Sequence, residues 1–404
     1  MHERPSDGGH DFPPLLAGSS DGPEPPRARR GRQRRRRRRR VIGGVLIGLV
    51  LVGAGAGVQV AAHLGYDVAL VAFQDAATVV ENDQTDLATD AEQLRMEADA
   101  AGDIAAADSG TLMPAEARGS LDAAIAAATP ALEDADAAAT AAIPTVDSKP
   151  MWAWDLFAEK GLLEEETAAL EGRQDDIAEQ RDALSETGAT VEESAVAAVQ
   201  AAAAAAADLE AAHVNARNPE IVALRASAAD VTVAVTTLDA DAVSRYAQLE
   251  SAAAALLESE QAELAEKAGP LHDARVEIEA FARSLAPDVL LDFDWSPTVP
   301  GYDGPSNGGW TTWWYGDPGY ATIALSDYIA ESWPASWAKA LVAHEVGHAI
   351  SVKCEAMYDS SNQDTIEEWA TAWAIGMGFT DPANGTDVYG APSSAMIDAA
   401  AACR

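Results

Sequence analysis

Two of the chain's seven histidines stand four residues apart in "LVAHEVGHAI", as His344 and His348, with Glu345 beside the first. Residues four apart on an α-helix differ by about 40° around its axis and share a face. Two imidazoles placed this way can both reach one Zn2+ at about 2.0–2.1 Å. Glu345 is turned about 100° from His344, which sets it beside such an ion rather than on it. There its carboxylate can take a proton from water, so the pattern reads as two ligands and one base. The flanking residues Val342, Ala343, Val346, Gly347, Ala349 and Ile350 are uncharged, as a buried helix requires, because a charge there would be desolvated without a partner. Gly347 leaves room for a second backbone to approach closely. The plainer reading, two core histidines on a buried helix, leaves Glu345 without a role.

A catalytic zinc site takes three protein ligands and keeps one position open. No histidine other than this pair follows His272, and the pattern HExxHxxGxxH fails because "AISVKC" follows His348. The nearby carboxylates are Asp359, Asp364, Glu367, Glu368 and Asp381. Among them, "TIEEWATAWA" resembles the second motif of the gluzincin metallopeptidases, Glu-x-x-Ala-Asp on the helix that follows HExxH. The resemblance spans roughly residues 319–378. It implies Glu367 as third ligand, Ala370 at the small position, Glu345 as general base, and a zinc-dependent peptidase with a small zincin-like α+β domain. Thr371 stands where many members have Asp, so a carboxylate that would orient a ligand histidine is missing. Helix capping competes for these carboxylates. Thr365 and Glu368 fit the capping box T-x-x-E, and the same logic from Asp364 would give that role to Glu367. Tyr358 and Tyr389 are candidate hydrogen-bond donors to a developing oxyanion. "YATIALS", Tyr320 to Ser326, reads as a strand that could pair with an extended substrate by edge addition.

These residues need elements to hold them. The spacing predicts a helix over 334–354 and a second over 364–378, the latter starting at a capping residue and ending in glycines. Both lie in a segment, 287–404, that carries eight of the ten tryptophans and a glycine cluster between Pro300 and Tyr320. About 118 residues suffice for one core. The tryptophans are expected mainly to pack it. The chain's two cysteines, Cys354 and Cys403, both fall here, and an oxidising compartment permits a disulfide between them.

Upstream, residues 63–286 are rich in Ala, Glu, Asp and Leu, which is helix-forming material. Leu163, Leu170, Ile177, Leu184 and Val191 recur every seven residues, as do Leu257, Leu264, Leu271, Ile278 and Leu285. Heptads argue for helices packed along narrow seams. Breaks near Asp108–Pro114, Pro144–Pro150, Asn215–Pro219 and Gly269–Pro270 suggest antiparallel helices forming an extended, coiled-coil-like stalk. Such seams also offer a route to self-association.

Residues 41–62, "VIGGVLIGLVLVGAGAGVQVAA", carry no charge, and a helix of 22 residues spans the hydrocarbon core of a bilayer. Eleven arginines between Arg27 and Arg40 precede it and place its N-terminal end in the cytoplasm. They would also attract anionic lipid. A cleaved signal peptide is the competing reading; the long run and its 40 preceding residues favour a retained anchor. Residues 1–40 have no apolar period and are expected to be disordered. From Val41 on, 15 basic residues face 60 acidic ones, so the body's field excludes nucleic-acid binding.

The expected architecture is therefore α-rich and in several parts: cytoplasmic tail (1–40), transmembrane helix (41–62), all-α stalk (63–286) and small α+β domain (287–404) outside the cell. The expected function is zinc-dependent hydrolysis of a peptide or protein substrate. The alternative is a non-catalytic helical surface or adhesion protein whose C-terminal domain is degenerate or merely binds zinc.

Overall fold

In the computed structural model the described residues are 54–299, 306, 308–316 and 319–404. The arginine-rich tail and residues 41–53 of the expected membrane span lie outside them. The described residues are helix-rich with one small mixed sheet.

Helix α1 (Ala54–Ala107) and helix α3 (Ala153–Ala212) run parallel. Gln59 bonds the Met151 carbonyl at 2.8 Å, Gln174 reaches the Ala76 carbonyl, and Arg181 pairs with Asp90. Between them α2 (Ala115–Ala139) returns antiparallel. The expected α3 seam, Leu163 to Val191, is buried along its whole length. Its partner on α1 is a second heptad, Tyr66, Phe73, Val80, Leu87, Leu94 and Ala101, also buried. Alanines between the large residues let the helices close up.

The second predicted heptad does not form one seam. After α4 (Asn218–Ala234), α5 (Ala240–Glu266) stops before Gly269, which adopts φ +111°, and α6 (His272–Leu285) starts afresh. Leu264 is 42% exposed, while Ile278 is buried in a different core. A break at 235–239 adds to the four read from the sequence. By length and composition one described helix, α3, could cross a membrane. Its alanine-rich half buries Ala195, Ala198, Val199 and Ala202 against other helices.

The second core begins at α6 and Leu271, ahead of Pro287. Its sheet has the order β1-β3-β2, with β1 (Leu290–Ser296) parallel to β3 (Tyr320–Ser326) and β2 (Gly309–Trp314) antiparallel to it. Leu291, Phe293 and Trp295 of β1 and Ala321, Ile323 and Leu325 of β3 face the core. After the short α7 (Asp327–Ser332), α8 (Ser336–Ile350) packs on the sheet. Helix α9 (Gln363–Gly376) packs on α8 and buries Trp369 and Trp373 completely. The short α10 (Thr386–Tyr389) and α11 (Ser394–Ala401) close the domain, and a disulfide joins Cys354 to Cys403 with Cα atoms 6.1 Å apart. Polar contacts tie the two cores together. Asn218 donates from its backbone to Asp292 and from its side chain to the Ala321 carbonyl. Lys267, 1% exposed, pairs with equally buried Glu279 at 2.7 Å, and Trp295 Nε1 donates to the same carboxylate.

Candidate metal centre

Helix α8 ends at Ile350, and residues 351–353 tighten into a 3-10 turn, so the helix is shorter than 334–354. Its inner face still carries His344 and His348 side by side. Helix α9 is capped by Asn362, whose side chain accepts from the Asp364 amide at 3.0 Å. Neither expected capping box therefore forms. Glu368 instead accepts from the Ser393 amide, and Glu367 is left to point at the histidines. The two helices come close because Gly347 has no side chain: a Cβ there would lie 2.7 Å from the Ala370 carbonyl oxygen.

The result is a triangle of donor atoms. His344 Nε2 lies 3.3 Å and His348 Nε2 3.2 Å from Glu367 Oε2, and the two nitrogens are 3.2 Å apart. Among the described residues this is the one histidine, cysteine or carboxylate cluster whose ligand atoms converge this way. His344 Nδ1 faces the Asn384 carbonyl at 2.9 Å, an oxygen that can only accept. Nδ1 therefore carries a proton, and a ring with that proton alone turns a bare Nε2 lone pair toward another imidazole and a carboxylate. Such atoms repel unless a proton or a metal cation lies among them. A tetrahedral ion with bonds of about 2.0–2.1 Å needs ligand atoms about 3.3 Å apart, which is the spacing found. Two imidazoles and one carboxylate are also a donor set that suits zinc.

Glu345 stands next to this triangle. Its carboxylate accepts from Thr311 Oγ1 at 2.7 Å and abuts Gly309, where a Cβ would come within 2.7 Å of it. Burial pushes the Glu345 carboxyl up from its ordinary value, against the opposing pull of His344 and Thr311. Burial acts on Glu367 in the same sense, but the two imidazoles more than offset it and hold that carboxyl well below the usual range. The ligands are almost enclosed, His344 at 5% and His348 at 6% exposure. Trp313 stacks on His348 and Tyr389 on His344.

The other candidates fall elsewhere. Asp359 accepts from Ser361, and Asp381 from the Ala383 amide and Ser336, both away from the triangle. Asp364 is exposed on the first turn of α9. Tyr358 stacks on Trp369 with its hydroxyl against that of Tyr315, which leaves Tyr389 as the tyrosine beside a ligand histidine. Strand β3 is central, so it cannot take an added strand; β1 and β2 are the edges, and β2 is the one beside Glu345.

Three contributors were not read from the sequence. Thr311 and Gly309 lie in the glycine cluster between Pro300 and Tyr320, where the strand "GWTTWW" lacks clean alternation. Asn384 acts through its backbone, so its identity carries no chemical signal. Its neighbour does: Gly385 adopts φ +103°, and a Cβ there would lie 2.8 Å from the His344 ring. The Asn384 carbonyl supplies the orienting contact that an Asp at 371 would have given, with Thr371 Oγ1 more distant at 3.4 Å.

The fold and site define a class: a helical bundle joined to a small mixed-sheet domain that holds a two-histidine, one-carboxylate cluster with a glutamate at its side. Comparison with protein-family models, curated proteins and solved structures finds no match to the chain.

Proposed function

We propose that this chain is a membrane-anchored, extracellular zinc peptidase of gluzincin type. In this reading residues 41–62 span the bilayer, the arginines stay on the cytoplasmic side, and the helices hold the catalytic domain away from the surface. The observation that carries the chemistry is the donor triangle with Glu345 held beside it by Thr311. His344, His348 and Glu367 would hold the ion. Zinc supplies Lewis-acid chemistry there, polarising a carbonyl and making water more acidic.

The chain's own groups do the rest. Glu345 takes the proton of the attacking water as the water oxygen bonds to the scissile carbonyl carbon. It returns that proton to the amide nitrogen as the C–N bond breaks. Thr311 keeps the carboxylate aimed, and Asn384 keeps His344 in the tautomer that exposes Nε2. Trp313 and Tyr389 wall the site, and Tyr389 is the candidate donor to the oxyanion. Among the described residues β2 has no strand partner on its outer side, so an extended peptide can add there, next to Glu345.

The near-closure of the site favours one competing reading, a surface protein that binds zinc without catalysis. A peptide-library digest by the purified full chain separates the two. The proposal expects about one zinc per chain, cleavage that a chelator stops and zinc restores, and loss of the metal in His348→Ala. Full zinc content in His348→Ala, or no cleavage by zinc-loaded protein, contradicts it.

A further inference from the structure

One end of the bundle carries apolar surface that the proposed chemistry does not use. Val60, Leu64, Val68 and Val71 follow one another at helical spacing on α1, and each is more than half exposed. Exposed Val58 widens that stripe on one side, and Gln59, His63 and exposed Asp67 bound it on the other. On the neighbouring helix start, Trp152 and Trp154 stack on each other with ring centroids 5.4 Å apart and project outward, followed by exposed Phe157. Acidic residues bound this surface. On α1 the stripe runs to exposed Asp75; on α3 exposed Asp155 already interrupts it beside Trp154, and exposed Glu164, Glu165 and Glu166 end it.

The heights of these groups are fixed by hydrogen bonds. Gln59 bonds the Met151 carbonyl and the Ala153 amide, so the tryptophan pair is level with residue 59. Lys149 pairs with Asp67 and Lys160 with Glu164, and the Lys160 chain lies against Gly65, so both lysines are level with residues 65–67. The chain immediately before α1 is the uncharged stretch from Val41. A helix begun at Val41 would leave a hydrocarbon core of about 30 Å near residue 61. That is the level of the tryptophans. The lysines stand about 6–9 Å higher, the depth of the headgroup layer. Tryptophan at the hydrocarbon boundary and lysine among the headgroups is the arrangement bilayers favour.

We infer that this end of the bundle is an interfacial collar seated in the outer leaflet, with Trp152 and Trp154 at the acyl boundary and Lys149 and Lys160 among the lipid phosphates. A second copy of the chain would cover the α1 strip alone; lipid accounts for exposed apolar and aromatic side chains on both helices at the level where the uncharged stretch ends. The collar makes the anchor rigid. The α3 helix that rises from it is 60 residues long, roughly 90 Å at 1.5 Å per residue, which sets how far from the bilayer the metal centre is held. The inference rests on the membrane-span part of the proposed function and not on its chemistry.

The test uses the full chain reconstituted in phosphatidylcholine–phosphatidylglycerol vesicles whose acyl chains are brominated near the glycerol end. Two of the ten tryptophans are in the collar. Bromolipid is expected to quench up to about a fifth of the emission in the native chain and none of it in Trp152→Phe/Trp154→Phe. Aqueous iodide is expected to spare that component. A chain that does not incorporate into vesicles refutes the span itself and the collar with it. Incorporation with no bromolipid quenching and full access to iodide overturns the collar alone. Protection from both quenchers, with a cysteine placed at Val68 forming cross-links between chains, replaces lipid with a second copy and also overturns it.

Discussion

The long helices and the C-terminal domain solve the same problem, burying apolar surface, by opposite means. In α1 and α3 the core repeats: large residues every seven positions with alanines between, each contributing a little along some 40 aligned residues. In the domain nothing repeats. Trp369, Trp373 and Phe293 fill single niches, one disulfide closes the chain, and Gly347 and Gly385 each sit where no other side chain fits. The repetitive part tolerates change because its information is redundant. The single-copy part can hold three donor atoms within about 0.1 Å of equal spacing, and the same specificity makes it fragile.

That contrast can be tested by following the domain through its tryptophans and the bundle through helical circular dichroism. The largest effect is expected from the disulfide, which closes a loop across a sequence separation of 49. Reduction should cost the domain about 4 kcal/mol by loop entropy and leave the bundle transition in place; a common shift of both signals would show that the two are not separable. Lys267→Ala comes next. It strands buried Glu279, although Arg283 and Trp295 still hold that carboxylate, so the loss should be near the low end for a broken buried pair, about 3 kcal/mol. Because the pair lies at the joint, both transitions should move, and a change in only one would displace the joint from its assigned place. Gly385→Ala forces a Cβ onto the His344 ring at a left-handed backbone position. Zinc affinity, read by competition with a chromogenic chelator, should fall about 10- to 100-fold with the bundle untouched. The smallest effect belongs to the repeat: Ala202→Gly in buried α3 should cost about 1 kcal/mol and leave zinc affinity unchanged.

The same contrast explains what the sequence disclosed. Wherever a side chain's type is itself the cause, the residue was legible. His344, Glu345 and His348, the cysteine pairing, the close approach at Gly347 and the Leu163–Val191 seam all follow from residue type and spacing. Where the backbone is the actor, it was not. The Asn384 carbonyl would serve from any residue, and strand β2 shows too little alternation to declare itself. The capping of α9 misled for a related reason: in an unbroken polar run Asn362, Asp364 and Thr365 compete, and Asn362 holds the cap, two positions before Asp364. The second heptad failed because Gly269 breaks the helix, sending Ile278 into a different core from Leu257. The α1 heptad was present in the sequence but hidden, since Tyr66, Phe73 and Val80 share spacing without sharing a residue type.

The central claim is that Glu345 acts as a base beside a zinc ion and not as a ligand. The direct measurement is peptide hydrolysis and zinc content of Glu345→Gln alongside Glu367→Gln. The glutamine at 345 keeps the shape and can still meet Thr311, but it cannot accept a proton. Hydrolysis should fall by at least about a hundredfold with zinc near one per chain, whereas Glu367→Gln should lose much of its metal. Equal activity in the native chain and Glu345→Gln would contradict the account.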